Sequence, residues 1–352
     1  MRLLPWIPLS LRALPALVAL LGAPGCGDAE VAAPTQEPPL LPAAGSLLAE
    51  PLAAFPETFE GVGLYPFAPD LDRVPQGALL YEPAWPLYSN GSSKARYLFL
   101  PAGERIDNSS QPWVFPVGTL IFKTFSFDEG DGPRAVETRV LRRAAEDWEY
   151  AAYRWRDDGG DADLLALKIP EPVAVSAPEP FEHLVPNRLQ CRKCHESAPS
   201  RVLGLGDIGL SEPPADGGPS QLEAFAAAGL FTVAPPAAPD RIEHPDATTR
   251  SVLGYLQGNC THCHNGGDEG DAAFDMRHAV ALENIIDHPT ESSASAAGIR
   301  VVPGAPEESI LFLAFSGEGS DPEIKDMPPV GVQLRDAAAA EMLRAWIESL
   351  PH

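Results

Sequence analysis

Between residues 55 and 180 apolar positions recur every second residue in short runs, at 96–100, 113–115, 119–127 and 136–141, separated by Pro and Gly. In 119–127, Ile121, Phe125 and Phe127 share one parity, and Trp148, Tyr150 and Ala152 do the same further on. A period of two predicts antiparallel strands with one buried face, and the Pro/Gly punctuation predicts turns between them. The pattern therefore predicts a β-sandwich or barrel-like module over 55–180. From Phe181 the period lengthens and a helix is expected to lead through Gln190. Ser220-Gln221-Leu222-Glu223 is a capping box, and the helix it opens meets Gly229 where a left-handed cap belongs. Residues 246–258 present Val252, Leu253 and Leu256 as one apolar face. Residues 336–350 place Ala339, Met342 or Leu343, Trp346 and Leu350 at i, i+3 and i+4, a stripe expected to pack on the helix before it. The chain thus reads as α+β and multidomain, an antiparallel β module followed by a mostly α-helical region.

The first 25 residues follow another pattern: Arg2, an apolar run to Leu21 with Arg12 its only internal charge, then Gly22-Ala23-Pro24-Gly25. This reads as a secretory signal, too short for a spanning helix. It ends at Cys26, and a small residue before that cysteine resembles the lipobox of bacterial lipoproteins; plain secretion with a spare thiol is the alternative. Lipidation at Cys26 would anchor the chain, each buried methylene contributing about 0.8 kcal/mol. Gly27 in place of an Asp favours the outer membrane over retention at the inner one. Residues 26–54, broken by Pro34, Pro38, Pro39, Pro42 and Pro51, read as a tether.

The formal net charge is −24, and removal of the signal takes Arg2 and Arg12 but no acid. Such a surface excludes nucleic acid and anionic lipid as partners and suits a basic redox protein, although solubility alone also accounts for it. The acidic run Asp157 to Asp163 lacks the spaced oxygens and final Glu of an EF-hand and reads as a turn between strands. The aromatic residues Trp85, Trp113, Trp148 and Trp155 read as core, with a ligand-binding face as the alternative.

Five cysteines and eight histidines occur in 352 residues. Four of the cysteines form two C-x-x-C-H motifs, Cys191-Arg192-Lys193-Cys194-His195 and Cys260-Thr261-His262-Cys263-His264, where chance predicts about 0.002 such matches per chain. Two thiols add across the vinyl groups of one haem, and the following imidazole then faces the iron. The motifs therefore predict two covalently bound c-type haems, Cys191, Cys194, Cys260 and Cys263 holding them and His195 and His264 ligating iron. Four-thiolate zinc and two local disulfides are the alternatives. Neither uses the trailing histidines, and the 65 residues between Cys194 and Cys260 exceed the about 15–20 of zinc ribbons.

A thioether opposite the histidine raises the potential of such an iron. Met1 leaves with the signal, Met342 lies on the apolar stripe and Met276 follows its motif closely. Met327, in Asp326-Met327-Pro328-Pro329 before the last helix, is the expected sixth ligand of the second haem. For the first haem His183 and His244 are both candidates and neither is assigned.

With these residues in place the chain resembles a family of secreted two-haem c-type cytochromes from bacteria. The resemblance is carried by 85–91 (Trp-Pro-Leu-Tyr-Ser-Asn-Gly), 115–119 (Phe-Pro-Val-Gly-Thr) and 186–191 (Pro-Asn-Arg-Leu-Gln-Cys). In the tail it is carried by 259–264, Val302-Pro303-Gly304, Glu308-Ser309-Ile310-Leu311 and Met327-Pro328. That tail is also similar to single-haem cytochrome c domains, in which the matching Met is the distal ligand. The loop from Arg201 to Ser211 departs from the family's Pro/Gly/Lys/Arg-rich pattern. The resemblance implies a first haem segment over 181–245, a cytochrome c-like domain over 246–352 and electron transfer between redox partners in the periplasm. A two-haem enzyme such as a peroxidase, with an open position at the first haem, is the alternative.

Overall fold

The structure is a computed structural model that describes residues 54–63, 77–130, 132–165, 169–176, 179–267, 274–291 and 296–351. The expected signal, Cys26 and the tether through residue 53 lie outside the described residues.

The chain is α+β. Six strands, β1 (Leu79–Leu80), β2 (Ser93–Phe99), β3 (Leu120–Asp128), β4 (Pro133–Arg143), β5 (Trp148–Trp155) and β6 (Ala162–Leu164), form one antiparallel sheet in sequential order. Short turns join β3 to β4, β4 to β5 and β5 to β6, as antiparallel neighbours allow, whereas residues 81–92 and 100–119 connect β1 to β2 and β2 to β3. The acidic run 157–163 is the turn between β5 and β6. Gly159 takes a φ of 67° there, and the Asp158 and Asp161 carboxylates accept the amides of Gly160, Ala162 and Glu60. A separate hairpin, β7 (Glu171–Val175) and β8 (Phe181–Val185), follows the sheet. Thus 181–185, expected as helix, is strand: Phe181, His183 and Val185 alternate along it, and its β-branched and aromatic residues pair with β7. Residues 113–115 form no named strand; Val114 makes a two-bond bridge to Asp107.

The expectation of half-buried strands is also corrected, because both faces of the central sheet are covered. On one face Tyr97, Phe99, Leu120, Phe122, Val140, Ala151, Tyr153 and Trp155 enclose Phe59 and Val62. On the other, Leu98, Ile121, Leu141, Trp148 and Tyr150 pack against the segment that carries Cys191, Val202, Leu205 and Leu210. The sequence alternation marked only the second of these faces.

Among the described residues seven α-helices follow: α1 (Arg188–Ser197), α2 (Asp207–Leu210), α3 (Gln221–Ala227), α4 (Ala247–Asn259), α5 (Ala281–Ile285), α6 (Ile310–Ser316) and α7 (Ala337–Ser349). The capping box at Ser220 forms as read, with side chain to backbone bonds in both directions, and Gly229 takes a φ of 72°. Asp246 and Asp336 cap α4 and α7 through the amides of Thr249 and Ala339. Val252, Leu253 and Leu256 of α4 share a core with Leu343, Trp346 and Ile347 of α7, and the Trp346 indole donates to Thr249 at 3.2 Å. In the expected stripe Leu343 rather than Met342 is the buried member. No helix among the described residues is long and apolar enough to cross a membrane.

The strap 85–91 joins the sheet to the helices. Trp85 lies across α4 at Gly254 and Gly258, where a Cβ at either position would overlap the Trp85 ring or carbonyl. The two glycines, four apart, face one side of the helix and permit this approach. Asn259 fixes the strap further, accepting from the Tyr88 amide at 2.7 Å. Because the obstacle at Gly258 is backbone, Gly258→Ala is expected to cost about 1–3 kcal/mol. A urea titration reads this as a lower midpoint with unchanged slope.

Candidate haem sites

The first motif lies on α1. Asn187 accepts the Gln190 amide at 3.0 Å and the Gln190 side chain accepts the Asn187 amide at 3.1 Å, a capping box that starts the helix just before Cys191. Cys191, Cys194 and His195 are then at i, i+3 and i+4 and share one face. Cys191 is buried against the sheet, and the His195 ring lies 5.2 Å from that of Tyr150 on β5. His195 Nδ1 is 2.7 Å from the Arg201 carbonyl, which can only accept. Nδ1 therefore carries the proton, and Nε2 keeps its lone pair without a hydrogen bond among the described residues. This arrangement orients a histidine as a metal ligand.

The loop that departs from the family pattern thus has a local role. Arg201 adopts a positive φ of 57° and turns its carbonyl to His195, while Val202 and Leu205 are buried beneath. Burial lowers His195 to a pKa of about 4 against the Arg201 bond, and Lys123 and Arg139 lower it further, so the imidazole is neutral.

The second motif is a turn. Cys260 ends α4, and the amides of Cys263 and His264 both return to its carbonyl, at 3.1 and 2.8 Å. Burial raises the Cys260 thiol to about 12 and lowers His264 to about 4, with His262 and Arg300 adding to the latter. His264 Nδ1 is buried and has no hydrogen-bond partner among the described residues, and its ring lies 4.5 Å from that of Phe274. Val302-Pro303-Gly304 is a turn held by the Ser309 hydroxyl and by Gly304 donating to Ile347 on α7.

The two motifs meet. Asn265, just after the second motif, donates to the Ser197 carbonyl of α1 at 2.9 Å, and Cys194 interacts with Cys263 and His262. Cys263 first and His262 next draw the Cys194 thiol down to about 4 against the opposing effect of burial. No disulfide links Cys191, Cys194, Cys260 and Cys263. Among the described residues no group of three or more His, Cys, Asp or Glu side chains is arranged to hold a metal ion.

Met327 sits on the loop between α6 and α7. Its amide donates to Ala314 at 2.9 Å, the residue is 38% exposed, and the neighbouring Asp326 pairs with Arg335 at 2.7 Å. Met276 is different: it is 5% exposed in the helical core, and its amide donates to the His264 carbonyl.

His183 is committed elsewhere. It is buried on β8, with Nδ1 3.0 Å from Asn90 Nδ2 and Nε2 2.8 Å from Glu137. Asn90 in turn accepts the amides of Gln333 and Leu334. Both ring nitrogens are thus occupied in a network joining strap, sheet and C-terminal loop, which removes His183 as a ligand candidate. His244 is half-buried, and its Nδ1 accepts the Asp246 amide at 3.1 Å, just before α4.

The residues fit covalent haem. Each motif offers two thiols and a neutral imidazole, and each has a buried polar atom without a partner among the described residues: Tyr150 Oη on the ring that faces His195, and Nδ1 of His264 itself. Sequence reasoning missed the meeting of the motifs, the role of Arg201 and a row of cations under α1. Arg139 and Lys123 of that row act electrostatically on Cys191, Cys194 and His195. Comparison with family models, curated proteins and solved structures gave no match.

Proposed function

We propose that this protein is a two-haem c-type cytochrome that passes electrons between redox proteins of the bacterial envelope. The observation that carries this reading is that the two C-x-x-C-H motifs lie side by side, Asn265 after the second donating to the Ser197 carbonyl of α1 at 2.9 Å. Bound haem supplies one-electron iron chemistry. Cys191 and Cys194 hold one haem and Cys260 and Cys263 the other. His195, oriented by the Arg201 carbonyl, and His264 present neutral imidazoles, and Met327 supplies the thioether of the second site. Among the described residues neither His195 Nε2 nor His264 Nδ1 has a hydrogen bond to give up, whereas His183 is bonded through both ring nitrogens.

The remaining assignments belong to the same reading. The sheet and hairpin form a sandwich or barrel-like module that covers the first haem, and the helices form the cytochrome region. Cys26 is lipidated and anchors the chain to the outer membrane. The acidic surface favours a basic redox partner and excludes nucleic acid.

A two-haem peroxidase is the second reading, favoured by the loss of His183 as a sixth ligand at the first haem. Pyridine haemochrome analysis of the mature protein is expected to give two c-type haems per chain, and any other count sinks the two-haem reading. A low-spin spectrum indifferent to peroxide is expected of a carrier; a high-spin component that shifts on adding peroxide decides for the enzyme.

A further inference from the structure

Three cations stand side by side in the middle of the sheet. Arg96 of β2 is in register with Lys123 of β3, and Lys123 with Arg139 of β4. Lys94 lies one step along the same face of β2. Like charges directly opposite one another in adjacent strands are destabilising, and more so away from water. Arg96 is 4% exposed, and Lys94, Lys123 and Arg139 are half-buried.

The protein itself neutralises little of this charge. Within the sheet Glu137 faces the cluster; it takes two N–H bonds from Arg139, at 2.9 and 2.6 Å, and a third contact from His183, while Glu82 and Asp336 act on Arg96 and Lys94 from farther off. Among the described residues Lys94, Arg96 and Lys123 make no ion pair, and Lys94 donates only to the Ser92 carbonyl at 3.1 Å. The Phe125 ring takes Arg139 at 4.2 Å, Lys123 at 5.0 Å and Lys94 at 5.7 Å. Sharing one ring among three cations leaves their charge in place. Burial, with Arg96 and Arg139 adding to it, pulls Lys94 down to about 7 and Lys123 well below its ordinary range, which is the signature of cations without enough counter-charge.

The neighbouring row explains what the charge awaits. Leu98, Ile121, Leu141 and Tyr150 are also in lateral register, two residues along each strand from Arg96, Lys123, Arg139 and Ala152. Cys191 packs in the apolar cluster of that row, and His195 lies over Tyr150. The face under α1 is therefore amphiphilic, an apolar strip bordered by a cationic one about 7 Å away. A ligand that matches it is flat and apolar with carboxylates along one edge.

We propose that Arg96, Lys123 and Arg139, with Lys94, form a carboxylate-binding face that holds the propionates of the haem carried by Cys191 and Cys194. The assignment rests on the two-haem reading above. It gives the buried cations their counter-ions and makes the sheet a part of the redox site.

The test uses the purified, mature protein and its Lys123→Gln and Arg96→Gln variants. Each variant is expected to keep two haems per chain and to shift the reduction equilibrium of the lower-potential haem about tenfold toward the oxidised form, about 59 mV. Resonance Raman is expected to show a shifted propionate bending mode, and Lys123→Arg is expected to restore both signals. Should Lys123→Gln fail to mature, Lys94→Gln at the margin of the cluster carries the same measurement. Two haems with unmoved potential and propionate mode overturn the propionate assignment alone. A saturable change of the wild-type potential on adding inorganic phosphate or nitrite overturns it in favour of a free-anion site. A wild-type haem count other than two overturns the reading beneath it.

Discussion

Met327→Ala is expected to leave both haems attached, to abolish the weak thioether-to-iron absorption band and to lower the higher of the two potentials by at least about 59 mV, a tenfold change in the reduction equilibrium. A thioether favours reduced iron, and its loss leaves water or a stronger donor in its place. The local structure supports the choice. Met327 is 38% exposed and belongs to no apolar cluster among the described residues, while its backbone is fixed by the bond to Ala314 and flanked by the Asp326–Arg335 pair. A methionine retained for packing looks like Met276, which is 5% exposed in the helical core. Met276→Ala is accordingly expected to cost about 2–5 kcal/mol in stability while the absorption band persists. If both potentials stay put in Met327→Ala, or the band disappears in Met276→Ala instead, the ligand assignment is wrong.

The contrast between these two methionines shows what could be read from the chain. Elements fixed by local chemistry were legible: the Ser220 capping box, the acidic caps of α4 and α7, and the turn at 157–163 all follow from residues within a few positions of one another. The apolar stripe of α7 was legible for the same reason. The strand 181–185 was not, because five residues running into a helix carry too little period to separate two from 3.6. The cation row was hidden by a different cause. Arg96, Lys123 and Arg139 alternate with apolar residues, a pattern that ordinarily marks a solvated face, and the segments packed over that face, α1 and His183 of β8 among them, make them interior. Registers between residues 96, 123 and 139 are set by hairpins and by the bulge between Phe125 and Ser126, which periodicity does not reveal. The meeting of the two motifs, and the seat of the strap against Gly254 and Gly258, are long-range fits with no local signature.

Glu137→Gln is expected to destabilise the protein by about 3–5 kcal/mol at pH 7, because it removes the counter-charge of buried Arg139 and leaves its cationic neighbours opposed by nothing within the sheet. The substitution keeps the size of the side chain, so the loss is electrostatic rather than a cavity. Burial by itself would raise the Glu137 carboxyl, but the Arg139 guanidinium and His183 outweigh it and hold the pKa at about 2, below its ordinary 4.5. A folded-state pKa below the unfolded value stabilises the fold above the unfolded value, and the contribution is lost as the pH falls through the folded one. The stability gap between wild type and Glu137→Gln is therefore expected to be full above pH 4.5 and to narrow as the pH falls from 4.5 toward 2. Urea titrations of both proteins at stepped pH measure it. A gap that stays constant across that range assigns the loss to the shape of the side chain, and the sheet then carries its cations without relying on Glu137. A gap that closes makes Glu137 the internal half of a charge balance whose other half, on the proposal above, arrives with the haem.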